Sequence, residues 1–292
     1  MTIQAALMPD GRRLHLQHGP IDLVIEAWGS PAEIAVGYRQ ATAAFQSVLP
    51  DLVTELAQLR RALAIAGAKP QLEGSVARKM VAACWPYRAD FITPMAAVAG
   101  AVADHILAAL LQGRDLAKAY VNNGGDIALW LAARQQLECG LVTDLLAPRV
   151  TGVFHLVPEM RIGGIATSGA PGKGRGGRSF SRGIADAVTV LARDAATADA
   201  AATMIANAVD LPQHPGIVRV PADSIDPDSD LGDRLVTTEV PALAASEVAA
   251  ALDRGRCVAD ELSRSGMIEA AVLALQGEIV LSGSLLRRHL AA

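Results

Sequence analysis

Residues 94–111 are apolar almost throughout, yet Asp104 and His105 stand inside the run. A charged side chain taken out of water needs a partner, so Asp104 must find one. The run is the longest apolar stretch of the chain. It reads as too short and too polar for a membrane span, which takes about 20 consecutive apolar residues. A buried helix over residues 95–111, ended by Gly113, is the expectation.

Alternation in Leu14 to Gln17 and in Ile21 to Trp28, around His18-Gly19-Pro20, predicts a β-hairpin. Residues 32–49 and 51–65 have helical apolar spacing and read as two helices broken by Pro50, which lacks the amide that a helix interior uses. Ser75 to Cys84 reads as a short helix capped by Ser75, followed by an extended turn at Trp85-Pro86-Tyr87. Ala119 to Asn122 and Ile127 to Leu131 read as strands, as do Val150 to Val157, Gly164 to Thr167 and Ala187 to Ala192. A helix over 197–209, loops over 210–235, a helix from Ser246 to Ser263, and a hairpin over Gln276-Gly277 complete the chain. Hairpins at both ends with helices between imply an α+β fold rather than a doubly wound α/β one. The 292 residues read as a single domain with no linker and no short-period repeat, the helix and hairpin of 246–282 packing on the rest.

Lys and Arg number 26 against 30 Asp and Glu, a net charge of −4, which argues against nucleic acid and membrane surfaces as partners. Cys84, Cys139 and Cys257 are odd in number and far apart, so a disulfide framework or zinc site is not expected. Met1 to Arg13 shows neither an apolar signal region nor a lipidation cysteine, and a cytoplasmic protein is the expectation. Ala-rich helices could form a homodimer interface, but oligomeric state is not readable from the chain.

Four short stretches could carry chemistry. In Asn122-Asn123-Gly124-Gly125-Asp126, paired glycines allow positive φ and let a ligand approach bare backbone, with Asp126 at a strand end; a plain turn with a surface Asp reads equally well. Ala166-Thr167-Ser168-Gly169 offers hydroxyls and amides suited to a phosphate, though small-residue turns are common. The glycine loop 169–178 brings Lys173, Arg175 and Arg178, which could close over a phosphate or simply be solvated; it is not a Walker A loop, since Gly174 follows Lys173. Asp199 and Thr203 share a helix face four residues apart. Asp199 is expected in the first helical turn, where the dipole favours its ionised form, and hard oxygens at this spacing suit Mg²⁺. An ordinary helix start reads the same way. Asp104, four residues after Gly100, could hold a ligand amine or cap a neighbouring loop. Asp226 to Gly232 imitates the start of an EF-hand loop but has Leu231 at the glycine position, so calcium is not expected there.

The order of these motifs resembles the ApbE-like superfamily, the FAD:protein FMN transferases once labelled thiamine-biosynthesis lipoproteins. That family shows Lys-Gly-x-x-x-Asp, Asn-x-Gly-Gly-Asp, Ala-Thr-Ser-Gly and Ala-Asp-Ala-x-x-Thr. Here these correspond to Gly100 to Asp104, Asn122 to Asp126, Ala166 to Gly169 and Ala198 to Thr203, within a core of about residues 95–207. Residues 91–100 and 226–237 look closer still to a shorter, uncharacterised ApbE-related family of prokaryotic proteins.

The resemblance implies a T-fold-related α+β arrangement of two similar βα halves around a central cleft. It makes Asp199 and Thr203 Mg²⁺ ligands, and it places Asn123, Gly124, Gly125, Asp126, Thr167, Ser168 and Gly169 along an FAD pocket. The expected partner is a small nucleotide-like ligand, and the expected function an Mg²⁺-dependent transferase or hydrolase of flavin or nucleotide pyrophosphates. The alternative is a non-catalytic binder of a flavin, pterin or purine, with Asp104 or Asp126 against the ring. The family's lysine before the helix glycine is Ala99 here, its Tyr-Arg pair is replaced by the glycine loop, and its His-x-x-Asp-Pro stretch is absent.

Overall fold

The computed structural model describes residues 3–145, 148–170 and 180–283. The strands are β1 (Gln4–Leu7), β2 (Leu14–His18), β3 (Ile21–Gly29), β4 (Leu116–Asn123), β5 (Asp126–Leu131), β6 (Leu137–Leu141), β7 (Gly152–Leu156), β8 (Gly164–Ser168), β9 (Ala187–Ala192), β10 (Val218–Pro221), β11 (Leu235–Glu239), β12 (Ala270–Leu275) and β13 (Glu278–Ser282). The helices are α1 (Pro31–Leu59), α2 (Ser75–Cys84), α3 (Val98–Leu111), α4 (Ala195–Ala208) and α5 (Ala245–Arg264). Every strand pair whose register is defined is antiparallel. The α+β class is therefore the observed one.

The chain divides into two compact units, Met1–Leu137 with His155–Ala166 and Ala192–Ala200, and the remainder. In the first unit the strands run in the order β1-β2-β3-β4-β5-β8. Ile21, Leu23, Ile25 and Ala27 alternate inward along β3 and are buried, the period-two pattern of a strand with one covered face. α3 packs on β4 and β5, and α1 and α2 pack on α3. Phe45, Ile106 and Leu110, all fully buried, stand at the centre of this layer.

α1 is one continuous helix of 29 residues with Pro50 inside it, not two helices broken there. Phe45 and Val48 before the proline, and Leu52 and Leu59 after it, are all buried. Keeping that stripe on α3 outweighs the lost hydrogen bond. The start of α1 follows local rules, with Ser30 Oγ accepting from the Glu33 amide at 3.3 Å and Pro31 in the first turn.

Trp85–Tyr87 forms a 3₁₀ turn instead of an extended one, since proline is tolerated at the start of a helical turn. Residues 94–111 form a 3₁₀ turn followed by α3. Among the described residues this is the one helix long and apolar enough to cross a membrane by length and composition, which corrects the view that it is too short and polar. Half of the segment is buried within the protein.

In the second unit the order is β9-β12-β13, with α5 lying on β12 and β13. Gly255 permits that approach, since a Cβ there would sit 2.8 Å from Leu273 Cδ2 and 2.3 Å from Val209 Cγ2. Residues 210–235 are not all loop: β10 pairs with β11 across a bulge. The EF-hand-like stretch is a polar turn in which the Asp226 carboxylate accepts from the Asp228 amide at 3.0 Å.

Candidate functional site

The first turn of α4 is held by two carboxylates. Asp194 Oδ1 accepts from the Thr197 amide at 2.8 Å, an N-cap bond. Asp104, reaching from α3, accepts from the amides of Ala195 and Ala196, each at 3.0 Å. Lys79 of α2 places its ammonium 2.9 Å from Asp104 and 3.8 Å from Asp194. The partner that Asp104 requires is thus a helix terminus and a lysine. Burial still pushes its carboxyl above the usual range, with Lys79 and the two amides opposing.

One turn further along α4, Asp199 accepts from the Gly100 amide at 3.0 Å. The approach is possible because Gly100 has no side chain: a Cβ there would sit 2.2 Å from the carbonyl oxygen of Ala195. The start of α3 is also held by Asn123, whose Nδ2 donates to the Ala99 carbonyl at 3.1 Å. Asp199 is therefore not in the first turn of α4, and the helix dipole does not set its charge. Burial pushes its carboxyl well above the usual range and the Asp126 charge pushes it further, against the amides of Gly100 and Ala99.

Asp126 opens β5, opposite Asn123 of β4. Between them Gly124 and Gly125 have φ of +66° and +114°, with no atom within 4 Å of where a Cβ would be. Asn122 Oδ1, the side-chain amide oxygen, accepts from the Gly125 amide at 2.8 Å and fixes this open turn. Gly100, Asp104, Asn123, Asp126 and Asp199 are in this way tied to one corner of the first unit, around the starts of α3 and α4.

Thr203 lies one turn beyond Asp199 on α4 and is half-buried. Thr167 and Ser168 end β8; Thr167 Oγ1 shares a hydrogen bond with Thr189 Oγ1 at 2.9 Å. Gly169 has a φ of +125°, and a Cβ there would meet the Ala185 carbonyl oxygen at 2.9 Å. Lys173, Arg175 and Arg178 lie outside the described residues. Among the described residues no group of three or more His, Cys, Asp or Glu is arranged to hold a metal ion.

Sequence reasoning missed Lys79 and Asp194. An aspartate just before a helical pattern is a recognised start signal, and it would have moved the start of α4 back from 197. Nothing in the local sequence marks Lys79, because its partners lie on α3 and before α4.

A family model described as AbpE bacteria matches residues 5–281. The chain belongs to the AbpE bacteria family. The ApbE-like resemblance of its motifs is borne out by that match. UPF0280 proteins are among its relatives. The one from Methanospirillum hungatei is 35% identical over 145 residues, which cover 50% of this chain and 55% of the relative. That of Methanothrix thermoacetophila is 40% identical over 119 residues, 40% of this chain and 46% of the relative. The matched stretch thus spans about half the length of these relatives. Among solved structures, the ApbE protein of Thermotoga maritima matches with a TM-score of 0.45 and 14% identity, over 96% of this chain and 97% of that one. The flavinyl transferase ApbE of Pseudomonas stutzeri matches with a TM-score of 0.47 and 12% identity, over 98% and 96%.

Proposed function

We propose that the protein binds a flavin dinucleotide, or another nucleotide-like pyrophosphate, together with Mg²⁺, and acts on the pyrophosphate as a transferase or hydrolase. The observation that carries this reading is the Asp199 carboxylate held 3.0 Å from the Gly100 amide, in the corner where the charge of Asp126 disfavours its ionisation. Two carboxylates that resist simultaneous ionisation are relieved by a cation, and hard oxygens suit Mg²⁺. Asp199 would hold the ion, with Thr203 one turn on in the same helix. When bound, Mg²⁺ would supply Lewis-acid polarisation of a phosphoryl oxygen.

The protein's own residues do the positioning. The Gly100 amide orients the Asp199 carboxylate, and Asn123 holds the Ala99 carbonyl so that this amide stays in place. The open Gly124-Gly125 turn lets a ligand approach bare backbone. Membership of the AbpE bacteria family and the retained Asp199 and Thr203 support a metal-dependent site; Ala99 and the missing clamp residues leave flavin transfer itself to experiment.

The test is thermal melting with FAD, FMN and ATP, each with Mg²⁺ or EDTA. The expected result is a rise in Tm with FAD that needs Mg²⁺ and is lost in Asp199→Asn. Ligand at about 100 times its Kd should contribute about 2.7 kcal/mol. A full Mg²⁺-dependent shift in Asp199→Asn would overturn the role of this residue. A shift indifferent to EDTA, without turnover, would make the protein a non-catalytic binder instead.

A further inference from the structure

We propose that Ser75 is a nucleophile served by His105, in a cleft among α1, α2 and α3 that accepts a small activated acyl group. Ser75 is the first residue of α2 and is exposed. Serine is a favoured cap at a helix start, yet here Gly74 holds the cap position and no side chain caps the first turn. The Ser75 hydroxyl instead lies 3.3 Å from His105 Nδ1. Hydroxyl and imidazole come from different helices, and nucleophilic catalysis needs this pairing within hydrogen-bond reach.

The surroundings fit the same chemistry. Ser75, Val76 and His105 line a cavity of about 40 Å³ together with Asp51 and Glu55 of α1. A cavity of about 10–15 Å³ already holds one water, so the space suits an acetyl-sized group. Glu55 is already engaged, accepting from the Glu73 and Gly74 amides at 2.6 and 3.0 Å. Asp51 lines the same cavity, and its charge favours the protonated imidazole. Burial draws the His105 pKa below its ordinary value, which keeps the ring neutral and able to accept a proton. The start of α2 presents backbone amides and the positive end of the helix dipole, where developing oxyanion charge is stabilised.

The step is an acyl transfer. Ser75 Oγ bonds to the carbonyl carbon of an activated ester while its proton passes to His105 Nδ1. The carbon–oxygen bond to the leaving group then breaks, and the leaving oxygen takes that proton. Water completes hydrolysis through the same base.

The full-length protein is treated with p-nitrophenyl acetate and, separately, with a fluorophosphonate, and followed by intact mass and peptide mapping. A single adduct on Ser75 is expected, absent in Ser75→Ala and formed about 100-fold more slowly in His105→Gln of unchanged Tm. Should either variant fail to fold, mapping of the wild-type adduct and the rate in Asp51→Asn, expected to fall, decide the matter. No adduct on Ser75, or His105→Gln labelling at the wild-type rate, would overturn the proposal. Asp199→Asn should label as the wild type does, so this result stands apart from the fate of the nucleotide site.

Discussion

The Gly100 amide donates to the Asp199 carboxylate at 3.0 Å, while the absent Cβ of Gly100 would lie 2.2 Å from the Ala195 carbonyl oxygen. One residue thus orients the candidate ligand and also sets how closely α3 approaches the start of α4. Gly100→Ala must displace backbone, because the clashing atom cannot rotate away. A loss of about 1–3 kcal/mol is expected, measured by urea denaturation. The Mg²⁺-dependent ligand shift should weaken with it. Wild-type stability in this variant would show that the two helices can part at little cost.

Burial, and then the charge of Asp126, disfavours ionisation of the Asp199 carboxyl. Its folded pKa lies above the unfolded value, so its contribution to stability is full below the unfolded pKa and is lost as pH rises through the folded one. Asp199→Asn keeps an oxygen for the Gly100 amide and removes the charge. In EDTA at neutral pH this variant should melt above the wild type, and the difference should vanish at acid pH, as scanning calorimetry across pH would show. Mg²⁺ should reverse the ranking by stabilising only the wild type. A variant less stable than the metal-free wild type at neutral pH would mean that the buried charge is compensated in the folded protein.

The elements that sequence revealed best were those with local signals: the Gly124-Gly125 turn, the alternation of β3, and the helix α5 with its following hairpin. Motifs drew attention to Asp104, Asn123, Asp126 and Asp199 as candidates, but they could not give their partners. Asp104 meets Ala195 and Ala196 across about 90 residues of chain, and Lys79 joins them from a third helix. The reading of Asp199 as dipole-stabilised failed because burial and Asp126 outweigh a helix end, and both are tertiary facts. β1 and β10 were missed for a different reason: each has only four residues, too few to display a period.

Asp104 links α3 to α4 through two amide bonds and an ion pair. Asp104→Ala should destabilise by about 1–3 kcal/mol, since it orphans helix amides that Asp104 now satisfies. Lys79→Met should cost less, about 1 kcal/mol, because Lys79 is partly exposed and its attraction is screened by solvent. Lys79 also lowers the pKa of Asp104. Its removal should raise that pKa further and steepen the loss of stability as pH rises through it. Urea titrations at acid and neutral pH measure both effects, and equal costs at the two values would argue against a charge role for Lys79.

Pro50 sits inside α1 without the amide that a helix interior uses, while buried residues on both sides of it hold the helix on the core. Proline in a helix interior costs about 3 kcal/mol relative to alanine. Thr54 Oγ1, at 2.6 Å from the Asp51 carbonyl oxygen, adds a local bond that alanine at position 50 would not disturb. Against this, proline restricts the unfolded chain and contributes about 0.4–1 kcal/mol of stability by that route. Pro50→Ala should therefore stabilise the protein by about 2–2.6 kcal/mol net, read as a higher urea midpoint at unchanged slope. A neutral or negative result would show that α1 has already relaxed around Pro50, with no helical hydrogen bond left to recover.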